Sequence, residues 1–121
     1  MSRIKKFEEV LATYRRHGWR PARVLMGAGA LAEWRAAPRP ELFGGLEPSE
    51  SEVDALWFSR PSHGGREAWE LRLVAEPPYA LFELFEPDEA EEDREDVRRE
   101  MEARLSEYAG GGAGEGERGK G

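Results

Sequence analysis

The spacing of apolar and polar positions starts out helical. Ile4, Phe7, Val10, Leu11 and Tyr14 recur every three or four residues and draw one apolar stripe along residues 3–17. Ser2 supplies an N-cap, and Gly18 suits the left-handed position that ends a helix. Arg15, Arg16 and His17 meet the negative end of its dipole. A short strand is expected over 22–26, followed by an alanine-rich helix over 28–37 that Pro38 and Pro40 stop. Residues 38–51 read as a loop, pinned to the core by Leu42, Phe43 and Leu46.

The period then changes. Three runs, 53–60, 67–75 and 79–86, are rich in aromatic and aliphatic residues, with Gly64-Gly65 and Pro77-Pro78 between them. They predict an antiparallel meander. A four-residue loop at 62–65 sets Phe58 against Trp69 and Leu56 against Leu71. Closing the second turn on Glu76 and Tyr79 sets Leu73 against Phe82 and Leu71 against Leu84. One face then collects Leu56, Phe58, Trp69, Leu71, Leu73, Phe82 and Leu84 as the core. The other mixes the charges of Glu70, Arg72 and Glu83 with Trp57, Tyr79, Leu81 and Phe85.

Asp88 is placed to cap a final helix over 88–108, with Glu91 completing a capping box. Glu95–Arg99 and Glu100–Arg104 are expected pairs along it. Residues 109–121 hold seven glycines in thirteen and predict a disordered tail. The predicted order is α-β-α-β-β-β-α. This is one α+β domain over 1–108, an antiparallel sheet of three or four strands packed by helices.

Composition narrows the class. With 39% hydrophobic and 36% charged residues, 121 residues can form one modest core under a heavily charged surface. The absence of cysteine excludes disulfides and thiolate chemistry. His17 and His63 are the only histidines, no ligand spacing accompanies them, and no metal or cofactor is assigned. No apolar run is long enough to span a membrane and the N-terminus lacks the apolar core of a signal peptide, so a cytoplasmic protein is expected. Asn and Gln are absent and 15 Arg stand against 3 Lys, which points to a GC-rich, heat-adapted bacterium. The net charge of −7 is uneven: residues 1–40 carry +6 and residues 41–121 carry −13. Such an acidic chain is a poor nucleic-acid binder outside a local patch.

Four constellations carry candidate chemistry. In WFSRPSHGGREAWEL, Ser62 and His63 lie side by side, but two serines, a proline and two glycines are what a tight reversal needs, so no catalytic residue is assigned. Gly27, Gly29 and Ala32 match G-x-G-x-x-A between a strand and a helix, yet no second parallel strand ending in an acid is expected to follow. Asp54 with Glu70-Leu71-Arg72 resembles the D…E-x-K pattern of restriction-endonuclease-like nucleases, with Arg72 in the place of the lysine. That resemblance implies a metal held by Asp54 and Glu70, and an arginine cannot take over a lysine's proton chemistry. Arg15, Arg16, Arg20 and Arg23 around Trp19 form a basic patch suited to phosphate or to an acidic protein surface.

The second sheet face is the strongest candidate. Trp57, Tyr79, Leu81 and Phe85 would leave an apolar surface larger than a lone domain exposes. The reading is a non-enzymatic interaction or accessory module whose partner is another protein or a second copy. The alternative is a nucleic-acid-binding or nuclease-like domain using segment 15–23 or Asp54 and Glu70.

Overall fold

The computed structural model describes residues 2–114, except for the side chains of 111–114. It is an α+β arrangement of three helices and a five-stranded mixed sheet. Two compact units divide it, Met1–Pro87 and Asp88–Gly121.

The first unit begins with α1, Arg3–Arg16. Its N-terminus is closed by Ser2, whose Oγ accepts from the Lys5 amide at 3.1 Å. Its C-terminus is closed by Gly18 at φ +85°, with the Gly18 amide on the Arg15 carbonyl at 3.1 Å and the Trp19 amide on the Tyr14 carbonyl at 3.1 Å. These two bonds satisfy carbonyls that the helix itself leaves free. Strand β1, Arg20–Met26, leads through Gly27 into α2, Ala28–Ala36. The 38–51 segment is more ordered than a loop. It contains a 3₁₀ turn at Pro40–Phe43 and a two-residue strand β2, Ser49–Glu50, parallel to β1. Leu42 and Phe43 are buried and Leu46 packs on the core, as expected of that segment.

The meander is β3 (Ala55–Pro61), β4 (Glu67–Leu73) and β5 (Tyr79–Phe85). With β1 antiparallel to β3, the sheet order is β2-β1-β3-β4-β5. The expected purely antiparallel sheet is thus corrected: β2 adds a fifth strand and one parallel pair, through a β1-α2-β2 crossover.

The register also differs. The Ser62 amide donates to the Arg66 carbonyl at 2.8 Å, and Pro61 pairs with Glu67. The first turn is one residue longer than expected, with Gly64 and Gly65 at φ +69° and +78°. Phe58 therefore faces Glu70, and Trp57 faces Leu71. At the second turn Leu73 pairs with Tyr79, so Leu71 faces Leu81 and Glu70 faces Phe82. Both shifts are odd, and an odd shift turns a strand over. β3 and β5 keep their faces relative to each other, but β4 is inverted between them.

One face consequently carries Leu56, Phe58, Ala68, Glu70, Arg72, Phe82 and Leu84. The other carries Trp57, Trp69, Leu71, Leu73, Tyr79, Leu81 and Phe85. The predicted core face is corrected accordingly. Leu56, Phe58, Leu71 and Leu73 are buried, but on opposite sides, while Phe82 is 58% exposed and Leu84 37% exposed.

Helix α1 lies against β1 and β3, and α2 against β1, on the Leu56–Phe58 face. Their contact forms the core cluster. Phe7 meets Phe43 edge-on at 6.0 Å, Trp34 meets Phe43 at 5.0 Å, and Tyr14 stacks on Phe58 at 4.1 Å. Full burial of a side chain such as Phe7, Phe43 or Phe58 contributes roughly 1.5–3 kcal/mol.

The second unit contains α3, Glu91–Gly114. It starts three residues later than expected, and the Ala90 carbonyl accepts from Arg94 at 3.0 Å, so Asp88 is not its cap. Glu91, Glu92 and Asp93 instead place negative charge at the positive end of the dipole. Glu95 pairs with Arg98 at 3.0 Å, and Arg99 with Asp96, in place of the expected Glu95–Arg99 pair. The helix continues through 109–114, which the glycine content places in the tail, because extending an existing helix adds a hydrogen bond for each residue fixed. The rest of the predicted tail, 115–121, lies outside the described residues.

Candidate functional site

Because α1 and α2 cover the β1–β3 side of their sheet face, the β4–β5 side of that face stays open. Its floor is Glu70, Arg72, Ala80, Phe82 and Leu84, and one wall is the end of α1 with Tyr14 and Trp19. β5 is the last strand and, among the described strands, pairs only with β4. Phe82 leans edge-on against Trp19 at 6.4 Å and still keeps most of its surface in water. An exposed edge strand with outward apolar side chains is an adhesive feature that native folds normally suppress.

The polar groups of this floor are organised. The Tyr14 hydroxyl donates to Glu70 Oε2, and the Arg72 guanidinium donates to the Leu73 carbonyl. Burial pushes the Tyr14 phenol well above its ordinary 10.0, the hydrogen bond and charge of Glu70 push it further, and Arg72 pulls the other way. At neutral pH Tyr14 is therefore a fixed donor that orients Glu70. The wall is fixed by Arg60, whose guanidinium lies 4.4 Å over the Trp19 ring and donates to the His17 carbonyl at 2.6 Å. Arg60 therefore sits at the negative end of α1, where a cation is favoured. In the sequence it reads as a turn flank; the contact comes from β3 lying beside the end of α1, which no local pattern encodes.

The residues singled out from sequence fall elsewhere. Trp57, Tyr79, Leu81 and Phe85 do share one face, but Trp57 and Phe85 are fully buried and Tyr79 and Leu81 half-buried. They are not an open apolar patch. The basic patch is dispersed. Arg15 donates to the Leu42 carbonyl at 3.2 Å and Arg16 to Thr13 at 3.4 Å. Arg20 is exposed at the start of β1, and Arg23 lies over Trp69 at 5.9 Å on the opposite face. Trp19 is buried under Arg60, so no ring is presented to a base.

Asp54 and Glu70 do not converge. Glu70 pairs with Phe58, four residues along β3 from Asp54, which separates the two positions by about 13 Å. One metal ion cannot bridge that gap, and among the described residues no group of three acidic, histidine or cysteine side chains could hold one. Asp54 instead serves the fold, since its Oδ1 accepts from the Gly27 amide at 2.7 Å, at the start of α2.

That bond also decides the glycine motif. A parallel strand does follow, correcting the expectation, and it ends in Glu50. The helix N-terminus that would take a phosphate is nevertheless occupied by the Asp54 carboxylate, and Gly29 makes room for Arg3, whose Nε would lie 2.9 Å from an added Cβ. Gly27 and Gly29 thus serve packing within the chain. Ser62 and His63 belong to the first hairpin turn, with the His63 carbonyl accepting from the Arg66 amide at 3.2 Å.

No family profile, curated protein or solved structure gives a significant match to this chain. Its function is therefore read from the geometry. A shallow cavity of about 470 Å³ between the end of α2 and the 38–48 segment is a lesser feature. Leu31, Trp34 and three prolines line it, with Arg35 and Glu47 as its charged groups.

Proposed function

We propose that this chain is a non-enzymatic interaction module of a bacterial cytoplasm that docks another polypeptide on the β5 edge and the open floor beside it. The observation that carries this reading is the exposure of Phe82, at 58%, and Leu84, at 37%, on a strand that pairs with β4 alone among the described strands. An extended segment added there gains main-chain hydrogen bonds from β5 and side-chain contact from Phe82 and Leu84. The proposed interface thus lies on the face opposite Trp57 and Phe85, because α1 and α2 contact β1 and β3 and leave Phe82 on β5 exposed. No member of the floor has the partners of a nucleophile: Tyr14 is held protonated and Glu70 is engaged by it.

The test is capture of a partner by the wild-type chain and by Phe82→Ser, followed by rebinding of the purified partner. The partner is expected to bind wild type and to lose at least tenfold in affinity for Phe82→Ser, with thermal melts showing both folded. Equal affinity for the two proteins would place docking elsewhere.

A further inference from the structure

Resting on that docking role, we infer that the occupant of the β5 edge is an extended segment of a different protein, apolar on one side and carrying Lys or Arg on the other. Charge is the reason. From Leu73 to Pro87 the chain has no Lys or Arg and three glutamates, Glu76, Glu83 and Glu86. Arg66 on the neighbouring strand end pairs with Glu86 at 3.0 Å. Among the described residues no cation forms an ion pair with Glu76 or Glu83.

A second copy of this chain fits the edge badly. Two identical strands pair antiparallel about a two-fold axis, and residues directly opposite then share a face. An axis at Leu81 sets Glu76 against Glu86 of the copy. An axis at Glu83 sets Glu83 against itself. An axis at Phe82 sets each Glu83 carboxylate against Leu81 of the copy. Like charges directly opposite are destabilising, and a carboxylate over an apolar side chain loses water without gaining a partner. The three registers that keep most of β5 paired are all penalised. The same glutamates keep the exposed edge from joining copies of itself, which is how natural sheets protect such strands.

A partner strand with a cation opposite Glu83 removes the penalty and gains a cross-strand ion pair. Its neighbours, opposite Phe82 and Leu84, fall on the other side and meet those apolar groups. The required pattern is apolar, basic, apolar over three consecutive residues, which an extended strand displays on alternating sides.

Three nine-residue synthetic peptides test this: alternating lysine–valine, alternating glutamate–valine and alternating lysine–serine. Affinity is read by fluorescence anisotropy, and the location by amide hydrogen exchange over residues 79–85. The lysine–valine peptide is expected to bind at least tenfold tighter than either of the others and to slow exchange in β5. In Glu83→Lys the preference is expected to reverse, with glutamate–valine the tighter ligand. Equal binding of lysine–serine, or no reversal in Glu83→Lys, overturns the proposed partner chemistry. So does a wild-type dimer in sedimentation that Phe82→Ser dissolves, although that result leaves docking at the edge standing. If no peptide slows exchange over 79–85 and the captured partner is indifferent to Phe82→Ser, the docking role itself fails.

Discussion

Single residues decide several junctions here by reaching across the sequence. Glu33 of α2 accepts from the Ser2 hydroxyl and from the amides of Arg3 at 3.0 Å and Ile4 at 3.4 Å. It thus supplies acceptors that α1 lacks in its own first turn, and the Ser2 hydrogen bond is the main cause of a Glu33 pKa below the usual 4.5. A depressed carboxylate stabilises above its unfolded pKa, and the contribution is lost as the pH falls. Glu33→Gln is therefore expected to melt below wild type at pH 7, with the difference shrinking as the pH falls below 4.5. Tyr14 works in the opposite sense. Its raised phenol favours the protonated fold, so stability is present below 10.0 and declines as the pH rises beyond it. Tyr14→Phe should cost about 1 kcal/mol at neutral pH through the lost bond to Glu70. Denaturant titrations above pH 10 should show wild type losing stability faster than the variant. The Ser2 and Gly18 caps are legible in the sequence because a cap is written within a few residues of its helix. Glu33 is not, because its partners lie some thirty residues away.

At the scale of elements, the number of residues in a turn outweighs the pattern in the strands it joins. The sequence places β1, β3, β4 and β5 within about two residues of their observed ends, since apolar density and turn residues mark them, and misses only the two-residue β2. It does not place their pairing, because opposite-charge and apolar matching is satisfied by more than one register, and the aromatic-rich runs are apolar at odd and even positions alike. The 62–66 turn supplies a direct check. Deleting Gly65 shortens it by one and restores the sequence-predicted register, which would bring Glu70 and Arg72 to the side now held by Trp69 and Leu71. Loss of a cooperative thermal transition is expected. Inserting two residues after Gly64 preserves the faces, and only about 0.6 kcal/mol or less of loop-closure entropy opposes it. Circular dichroism melts of the two variants distinguish parity from mere loop length.

For the molecule as a whole, charge sets solution behaviour while one exposed edge sets its liability. With a net charge of −7 at pH 7, copies repel one another at neutral pH. That protection vanishes near the isoelectric point of about 5.0, where Phe82 and Leu84 are left without electrostatic cover. Turbidity is expected to peak near pH 5, and Phe82→Ser, which leaves the charge unchanged, should reduce the peak severalfold. An unchanged peak would mean that the aggregating surface lies away from β5. Among the described residues no helix is long and apolar enough to cross a membrane, in keeping with the hydropathy pattern.

What the sequence determined by itself is local: which segments are helix or strand, where α1 is capped, and that three strands form a meander. These depend on interactions among residues a few positions apart, and such neighbours are visible in a line of letters. Only the tertiary structure decided which side of the sheet each strand presents, that Asp54 belongs to α2, and that Phe82 stands in water beside Trp19. The physical reason is that strand side chains alternate with a period of two. One extra turn residue, too small a signal to read against a pattern apolar at every second position in both phases, inverts β4 and sets Glu70 and Arg72 beside Phe58 and Leu56 in place of Trp69 and Leu71.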